Sequence, residues 1–407
     1  MHKAHPLTIE QRAMKILNEN PLIDGHNDLA ILVRFAYGNH IYTDKFKKGF
    51  EEGGLMGHVD IPRLDKGKVG GSFWSVFVQC PANITDFSDE NYAGPIRQTL
   101  EQLDVYRRLG AAYPKYFTPT PSYAAALSAF SSGHLISPAG IEGLHQIGNS
   151  LSTLRLYHSL GVRYATLTWN CHNAYADAAV LTTPNATYKS TPLWHGLSTA
   201  GRTLVTEMNR LGMLVDLSHV SADTMRDALI GRDGWNGSLA PPIFSHSSAY
   251  AICPHPRNVP DDVLQLVKKR NSLVMVNFSP DFISCVPSDS WTGLPELYKP
   301  NVTMGQVVRH IRHIGELIGY EHVGFGSDFD GIQTTPEGLD DVSKYPDLVA
   351  ELLRQGVSDG DVAKVVGRNL LRVWKEADEV AKRLQAEMEP LEDEIKTGWT
   401  GLSGEEL

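Results

Sequence analysis

Residues 23–30 read IDGHNDLA, with a histidine and an aspartate separated by a single residue. Leu22 and Ile23, after Pro21, read as the start of a short β-strand. Side chains alternate faces along a strand, so His26 and Asp28 point the same way. An imidazole beside a carboxylate at a strand end is half of a metal-binding site. Asp24, Asn27 and Asp28 are equally common in turns and helix N-caps, so further ligands must be found. They sit at the ends of other apolar runs: Glu142 in AGIEGLHQIG (with His145 close behind), His219 in VDLSHVS, His246 in IFSHSSAY and Asp328 in GFGSDFDG. Taken singly, each has an ordinary reading as a core histidine, an ion-paired glutamate or a helix cap. Their recurrence at the same end of independent strands argues for one site.

His26, His219 and His246 with Asp28 and Glu142 exceed what a single catalytic zinc takes, which is three protein ligands and a water. They suit two metals sharing a carboxylate. Mixed imidazole and carboxylate donors favour two Zn2+ per chain, with Mn2+ or Co2+ as substitutes. Such a pair brings the pKa of a water toward ~7 and polarises a carbonyl, which is equipment for hydrolysing a C–N or C–O bond. Asp328 is the candidate to take the water's proton and pass it to the leaving group. The histidines at 40, 58, 134, 158, 195, 310 and 313 show no such placement and are assigned to surface or core.

The elements that must position these residues alternate along the chain. Eight short apolar runs, at 22–27, 72–79, 135–143, 162–168, 213–219, 242–246, 272–278 and 322–328, are hydrophobic enough for parallel strands buried on both faces. Helical stretches lie between them. In 98–110, Leu100, Leu103, Val105 and Leu109 are expected along one face; 200–212 ends in a glycine suited to a C-cap; 261–270 and 304–319 behave alike, the latter with Val307, Ile311, Ile314 and Ile318 in register. Eight alternations predict a (β/α)8 barrel, whose strand C-termini form the catalytic face; a doubly wound open sheet is the alternative. More helices follow from about residue 346. The expected organisation is one domain over 1–380 and an acidic tail over 381–407.

Bulk properties exclude other classes. The 407 residues carry a formal charge of −10, against nucleic acid or anionic membrane as partners. No stretch approaches the ~18 apolar residues of a membrane span, and neither a signal-peptide core nor a lipid-anchor tail is seen. As written, the chain reads as soluble and cytoplasmic, with a secretory route open if a leader is missing. Four N-x-S/T sequons, at Asn83, Asn185, Asn236 and Asn301, hint at that route. Cys80, Cys171, Cys253 and Cys285 form no C-x-x-C pair; their even number permits two disulfides whose pairing spacing cannot assign.

From about residue 20 to 375 the chain resembles the membrane (renal-type) dipeptidases, zinc metallopeptidase family M19. The most specific segment is PPIFSHSSAYAICPHPRNVPDDVLQLV (241–267), followed by SLVMVNF and HVGFGSDFDGIQTTPEGLDDVSKYPDL. The resemblance implies a (β/α)8 barrel with a two-zinc site. His26 and Asp28 match ligands of one ion, His219 and His246 of the other, and Glu142 the carboxylate between them. Asp328 matches the acid/base residue, and Arg257 the arginine that grips a dipeptide's terminal carboxylate, which a guanidinium can hold through two bonds. It further implies disulfides Cys80–Cys171 and Cys253–Cys285, an oxidising compartment and a noncovalent homodimer. The mammalian C-terminal cysteine and lipid anchor have no counterpart, so the likeness is to a soluble, microbial or fungal member. One position departs. Mammalian-type members end the fourth strand in TLTH, with the histidine on the substrate; this chain reads TLTWNCHN, with Trp169 there. Either His172 substitutes, or Trp169 narrows the pocket and shifts the substrate range. Losing an oxyanion donor costs ~10²–10³ in rate.

The leading expectation is therefore a metallodipeptidase cleaving dipeptides with a free carboxyl end, with Cys-Gly or its S-conjugates as candidates by resemblance. Hydrolysis of another small amide or lactone ranks second. A catalytically silent barrel ranks third, opposed by the retained Asp328.

Overall fold

A computed structural model describes residues 6–394. The eight apolar runs become eight strands: β1 (Leu22–Asn27), β2 (Val69–Val76), β3 (Ala139–Glu142), β4 (Val162–Thr166), β5 (Leu214–Asp216), β6 (Ile243–Phe244), β7 (Leu273–Val276) and β8 (Val323–Phe325). All pair in parallel with their sequence neighbours, and β8 returns to β1 through Asp24 opposite Phe325, closing the barrel. The fold is a (β/α)8 barrel, not an open sheet. The strands are shorter than the apolar runs because the polar residues at the run ends, among them His219, His246 and Asp328, leave the ladder to form loops.

The helices follow the expected patterns with one correction. Thr199–Leu211 ends at Gly212 in the left-handed conformation, φ 76°. In Met304–Ile318, Val307, Ile311, Ile314 and Ile318 are fully buried. In Asp89–Ala112, Leu103, Val105 and Leu109 are buried, but Leu100 is 46% exposed. The buried stripe there runs Tyr92, Pro95, Thr99, Gln102, Tyr106 and Leu109, spaced three and four apart, so Leu100 falls one position outside it. Its polar members are bonded: Thr99 Oγ1 donates to the Pro95 carbonyl at 2.8 Å, and Gln102 donates to the Phe77 carbonyl.

The last helix, Asn369–Glu387, runs through the expected 380/381 boundary. Its Leu370, Leu371 and Trp374 join Ile23, Phe73, Tyr164, Leu214, Ile243 and Leu273 in one buried cluster. Leu214, Ile243 and Leu273 open their strands, so this helix seals the barrel at the end opposite the ligands. Beyond it, Asp393 accepts from the backbone N–H groups of Leu151 and Ser152, at 2.7 and 2.9 Å. It thus binds the positive N-terminus of helix Leu151–Ser159. The rest of the acidic tail, 395–407, lies outside the described residues.

Both disulfides, Cys80–Cys171 and Cys253–Cys285, are present. The four sequon asparagines are all exposed. Among the described residues, no helix is long and apolar enough to cross a membrane.

Candidate metal centre and active site

The strand C-termini bring His26, Asp28, Glu142, His219, His246 and Asp328 together. Asp28 occupies the N-cap position of helix Leu29–Tyr37 but makes no capping bond. Its Oδ2 lies 3.1 Å from His26 Nε2, and its buried Oδ1 has no hydrogen-bond partner. Forgoing a cap costs about 1 kcal/mol, so the carboxylate is held for something other than the helix.

Glu142 lies at the centre. Its Oε2 is 3.4 Å from His26 Nε2, and its Oε1 is 2.9 Å from His219 Nε2 and 3.5 Å from His246 Nε2. Its own backbone N–H donates to Gln146 Oε1, and Gln146 is braced in turn by Thr99 and the Val76 carbonyl. Asp328 completes the group, with Oδ1 4.0 Å from His26 Nε2 and Oδ2 accepting from Asn277 Nδ2 at 3.0 Å. Its side chain, 13% exposed, is the most open of the three carboxylates. Gly331 makes room here: a Cβ on it would stand 2.2 Å from Asp28 Oδ2 and 2.4 Å from Asp328 Oδ1. His219 and Asp328 both hold left-handed backbone, φ 68° and 65°, a strain of order 1–3 kcal/mol that collects at functional sites.

The partners of the outer ring nitrogens indicate the tautomers of His246 and His219. His246 Nδ1 is 2.8 Å from Ser245 Oγ, whose proton goes to Asp216 Oδ2 at 2.6 Å. Serine therefore accepts, and Nδ1 carries the hydrogen. His219 Nδ1 meets Asn170 Oδ1 at 2.8 Å, and His26 Nδ1 meets the Tyr164 hydroxyl at 2.7 Å. Tyr164 reaches that far because Gly140 sits under its ring, where a Cβ would stand 2.2 Å from it. Consequently the Nε2 lone pairs of His219 and His246 face each other at 3.0 Å, beside Glu142 Oε1. Three acceptors converge with no donor between them, an arrangement that a cation relieves. Imidazoles whose second nitrogen is held by an outer partner are typical of metal ligands, so the residues present fit a metal.

Electrostatics agree. Burial opposes a charge on His26, yet Tyr164, Asp28 and Glu142 hold its pKa well above the usual value; that negative field also favours a metal cation. Burial, and the positive charge of Arg257, push His219 down to about 3. Burial also raises Asp328, outweighing His26; with Asp28 and Glu142 beside it the carboxyl reaches about 8.

Arg257 is buried, its guanidinium stacked 5.0 Å from the Phe282 ring. It makes long bonds of 3.4 Å to Ser247 Oγ and the His246 carbonyl, its Nε has no partner, and among the described residues it forms no ion pair. Burial brings its pKa down to about 10. Trp169 stands against the centre, 6.2 Å from the His219 ring and edge-on to Phe77 at 4.8 Å. His172 is differently engaged: Nδ1 accepts from Ala178 N–H at 3.1 Å and Nε2 donates to the Thr191 carbonyl at 3.0 Å. Both its ring nitrogens are thus bonded to backbone, unlike those of the histidines gathered around Glu142. His145 also turns aside, donating Nε2–H to the Val78 carbonyl at 2.7 Å. The sulfurs near it, of Cys80 and Cys171, are bonded to each other.

A closed parallel barrel with imidazoles and carboxylates at its strand C-termini defines a metal-dependent hydrolase. The sequence profile of the membrane dipeptidases (peptidase family M19) matches residues 10–388. Dipeptidase aclJ of Aspergillus oryzae is 45% identical over 394 residues, 96% of this chain and 85% of that protein. An uncharacterized dipeptidase of Schizosaccharomyces pombe is 47% identical over 378 residues, 92% of this chain and 85% of that protein. Among solved structures, a metallopeptidase of Rhodobacter sphaeroides, liganded with a phosphinate mimic of the dipeptide L-Ala-D-Ala, is similar. It is 26% identical with a TM-score of 0.70, over 88% of this chain and 99% of that one. The chain belongs to the membrane dipeptidase family M19 and is a metallodipeptidase, a hydrolase.

Proposed function

We propose that the enzyme holds two zinc ions, with manganese or cobalt as substitutes, and cleaves small dipeptides that carry a free C-terminal carboxylate. The observation that carries the reading is Glu142, which turns one oxygen to His26 and the other to His219 and His246. His26 and Asp28 would hold one ion, His219 and His246 the other, with Glu142 shared. Bound there, the ions would activate a water and polarise the scissile carbonyl. The remaining work falls to the chain. Asp328 Oδ2 is occupied by Asn277, so Oδ1 takes the water's proton and returns it to the leaving amine. Arg257, buried without an acidic partner among the described residues, seats the substrate's carboxylate and sets its distance from Glu142. The dipeptide mimic bound by the Rhodobacter sphaeroides relative supports this substrate class.

Cys-Gly and its S-conjugates are the substrates we put first, on the family likeness, with Trp169 and Phe77 as the wall that selects among side chains. The same likeness leads us to expect a noncovalent homodimer, and the two disulfides favour an oxidising compartment. The test is hydrolysis of a dipeptide panel, including Cys-Gly and an S-substituted Cys-Gly, before and after chelation and zinc restoration. Metal-dependent cleavage is expected. No cleavage by protein holding two ions per chain would move the assignment to another small amide or a lactone.

A further inference from the structure

His219 lies three residues beyond β5 on a left-handed backbone, so its direction is set from outside its own strand. The outside is the segment after β4. There Trp169 and Cys171 form an antiparallel bridge, Cys171 is bonded to Cys80, and Trp169 packs on Phe77. The N–H of Thr182, in the hairpin Val180–Thr182 with Thr187–Lys189, donates to the Asn170 carbonyl at 2.9 Å. Ala179, just before that hairpin, donates its N–H to the carbonyl of His219 at 2.7 Å. One clasp thus holds the backbones of Asn170 and His219, and it leaves the Asn170 carboxamide aimed at the imidazole, Oδ1 to Nδ1 2.8 Å.

We propose that Asn170 is a positioning residue for metal binding: its side-chain oxygen keeps the hydrogen of His219 on Nδ1 and turns Nε2 toward Glu142 and His246. The proposal rests on the two-ion reading above. An amide suits the task because its oxygen accepts without titrating. A bare imidazole could rotate or place its hydrogen on Nε2, and either change removes a ligand. The same short segment then meets His219 twice, Trp169 beside its ring and Asn170 at its Nδ1.

The test is zinc affinity of the full chain, read as ions retained against a competing chelator, for wild type, Asn170→Ala and Asn170→Asp. Loss of such an outer partner weakens metal binding by roughly 10–100-fold. Asn170→Ala is expected to weaken one ion by that factor and leave the other unchanged, whereas Asn170→Asp, which keeps the acceptor, returns to within a few-fold of wild type. Equal affinity in wild type and Asn170→Ala, or equal weakening in the alanine and aspartate variants, overturns the proposal. Should the alanine variant not fold, the same titration on Asn170→Leu, which fills the space without an acceptor, decides. A wild-type chain that holds one ion overturns the two-ion reading itself, and stoichiometry alone tells that result from the others.

Discussion

Arg257→Met removes the guanidinium but keeps an unbranched side chain over Phe282. In the free enzyme the arginine forms two bonds of 3.4 Å, leaves Nε unpartnered and has no acidic partner among the described residues. Little native stabilisation is therefore lost, and a buried charge is removed. Replacing buried charge with an apolar group of similar volume is often neutral or stabilising. The melting midpoint of the variant should equal or exceed that of wild type. Substrate binding is affected differently. A hydrogen bond to a charged group contributes about 1.5–3 kcal/mol, so a two-bond grip on a carboxylate contributes about 3–6 kcal/mol. That corresponds to a loss of roughly 10²–10⁴ in kcat/KM, since each 1.4 kcal/mol is tenfold. The assay is steady-state hydrolysis of one dipeptide and its C-terminal amide. The acid should lose that factor in the variant while the amide changes little. Equal losses on both substrates, or a clearly lowered midpoint, would refute the carboxylate role and leave the arginine as part of the fold.

Three further outcomes are expected. Asp328→Asn should retain its metal, measured by elemental analysis, while turnover falls by about 10²–10⁴ through loss of the proton carrier; unchanged turnover would reassign that step. Replacing Cys80 and Cys171 together by alanine opens a crosslink spanning 91 residues, worth about 4–5 kcal/mol in the chain-entropy account; denaturant unfolding that fails to shift would contradict it. His310 is neutral and buried, donating to the Ile283 carbonyl and accepting from Ala249 N–H, with a pKa lowered to about 4 by burial. The unfolded chain takes up that proton near pH 6.5, so stability is full above 6.5 and falls as pH drops toward 4, by about 3 kcal/mol. His310→Gln should flatten the stability profile over that window, and an unaltered slope would place the titration elsewhere.

Much of this site could be read from the chain before its structure. Parallel strands buried on both faces are continuous apolar runs, so all eight stood out, and a polar residue ending such a run is conspicuous. That pattern points to His26, Glu142, His219, His246 and Asp328 as candidates, which the structure brings together. It does not point to their outer partners. Tyr164 lies within a strand as an ordinary β-former, Ser245 and Asp216 look like strand-end polar residues, and Asn170 resembles any loop asparagine. Their roles depend on partners 29 to 138 residues away and on side-chain directions set by left-handed backbone at His219. Only Asn170 carried a local hint, being next to the displaced family position at Trp169. The same limit explains His172: its loop turns both ring nitrogens onto the backbone at Ala178 and Thr191, which spacing along the chain does not reveal. The misplaced Leu100 has a simpler cause. Thr99 and Gln102 occupy the buried face of their helix, so counting apolar residues alone rotates the stripe.

The seal on the barrel's far end also bears on how the molecule is made. The strand nearest the N-terminus pairs with the eighth, Asp24 against Phe325, and the interior layer around Phe73 is completed by Trp374, 5.4 Å away between ring centroids. A ribosome delivers each of those partners about 300 residues after the residue it meets. Until then the early strands have an open edge and an uncovered apolar layer, the condition in which partly folded chains associate. The residues of the candidate site are drawn from that same interval, His26 near its start and Asp328 near its end, so the nascent chain completes its shelter and its set of candidate groups at nearly the same point.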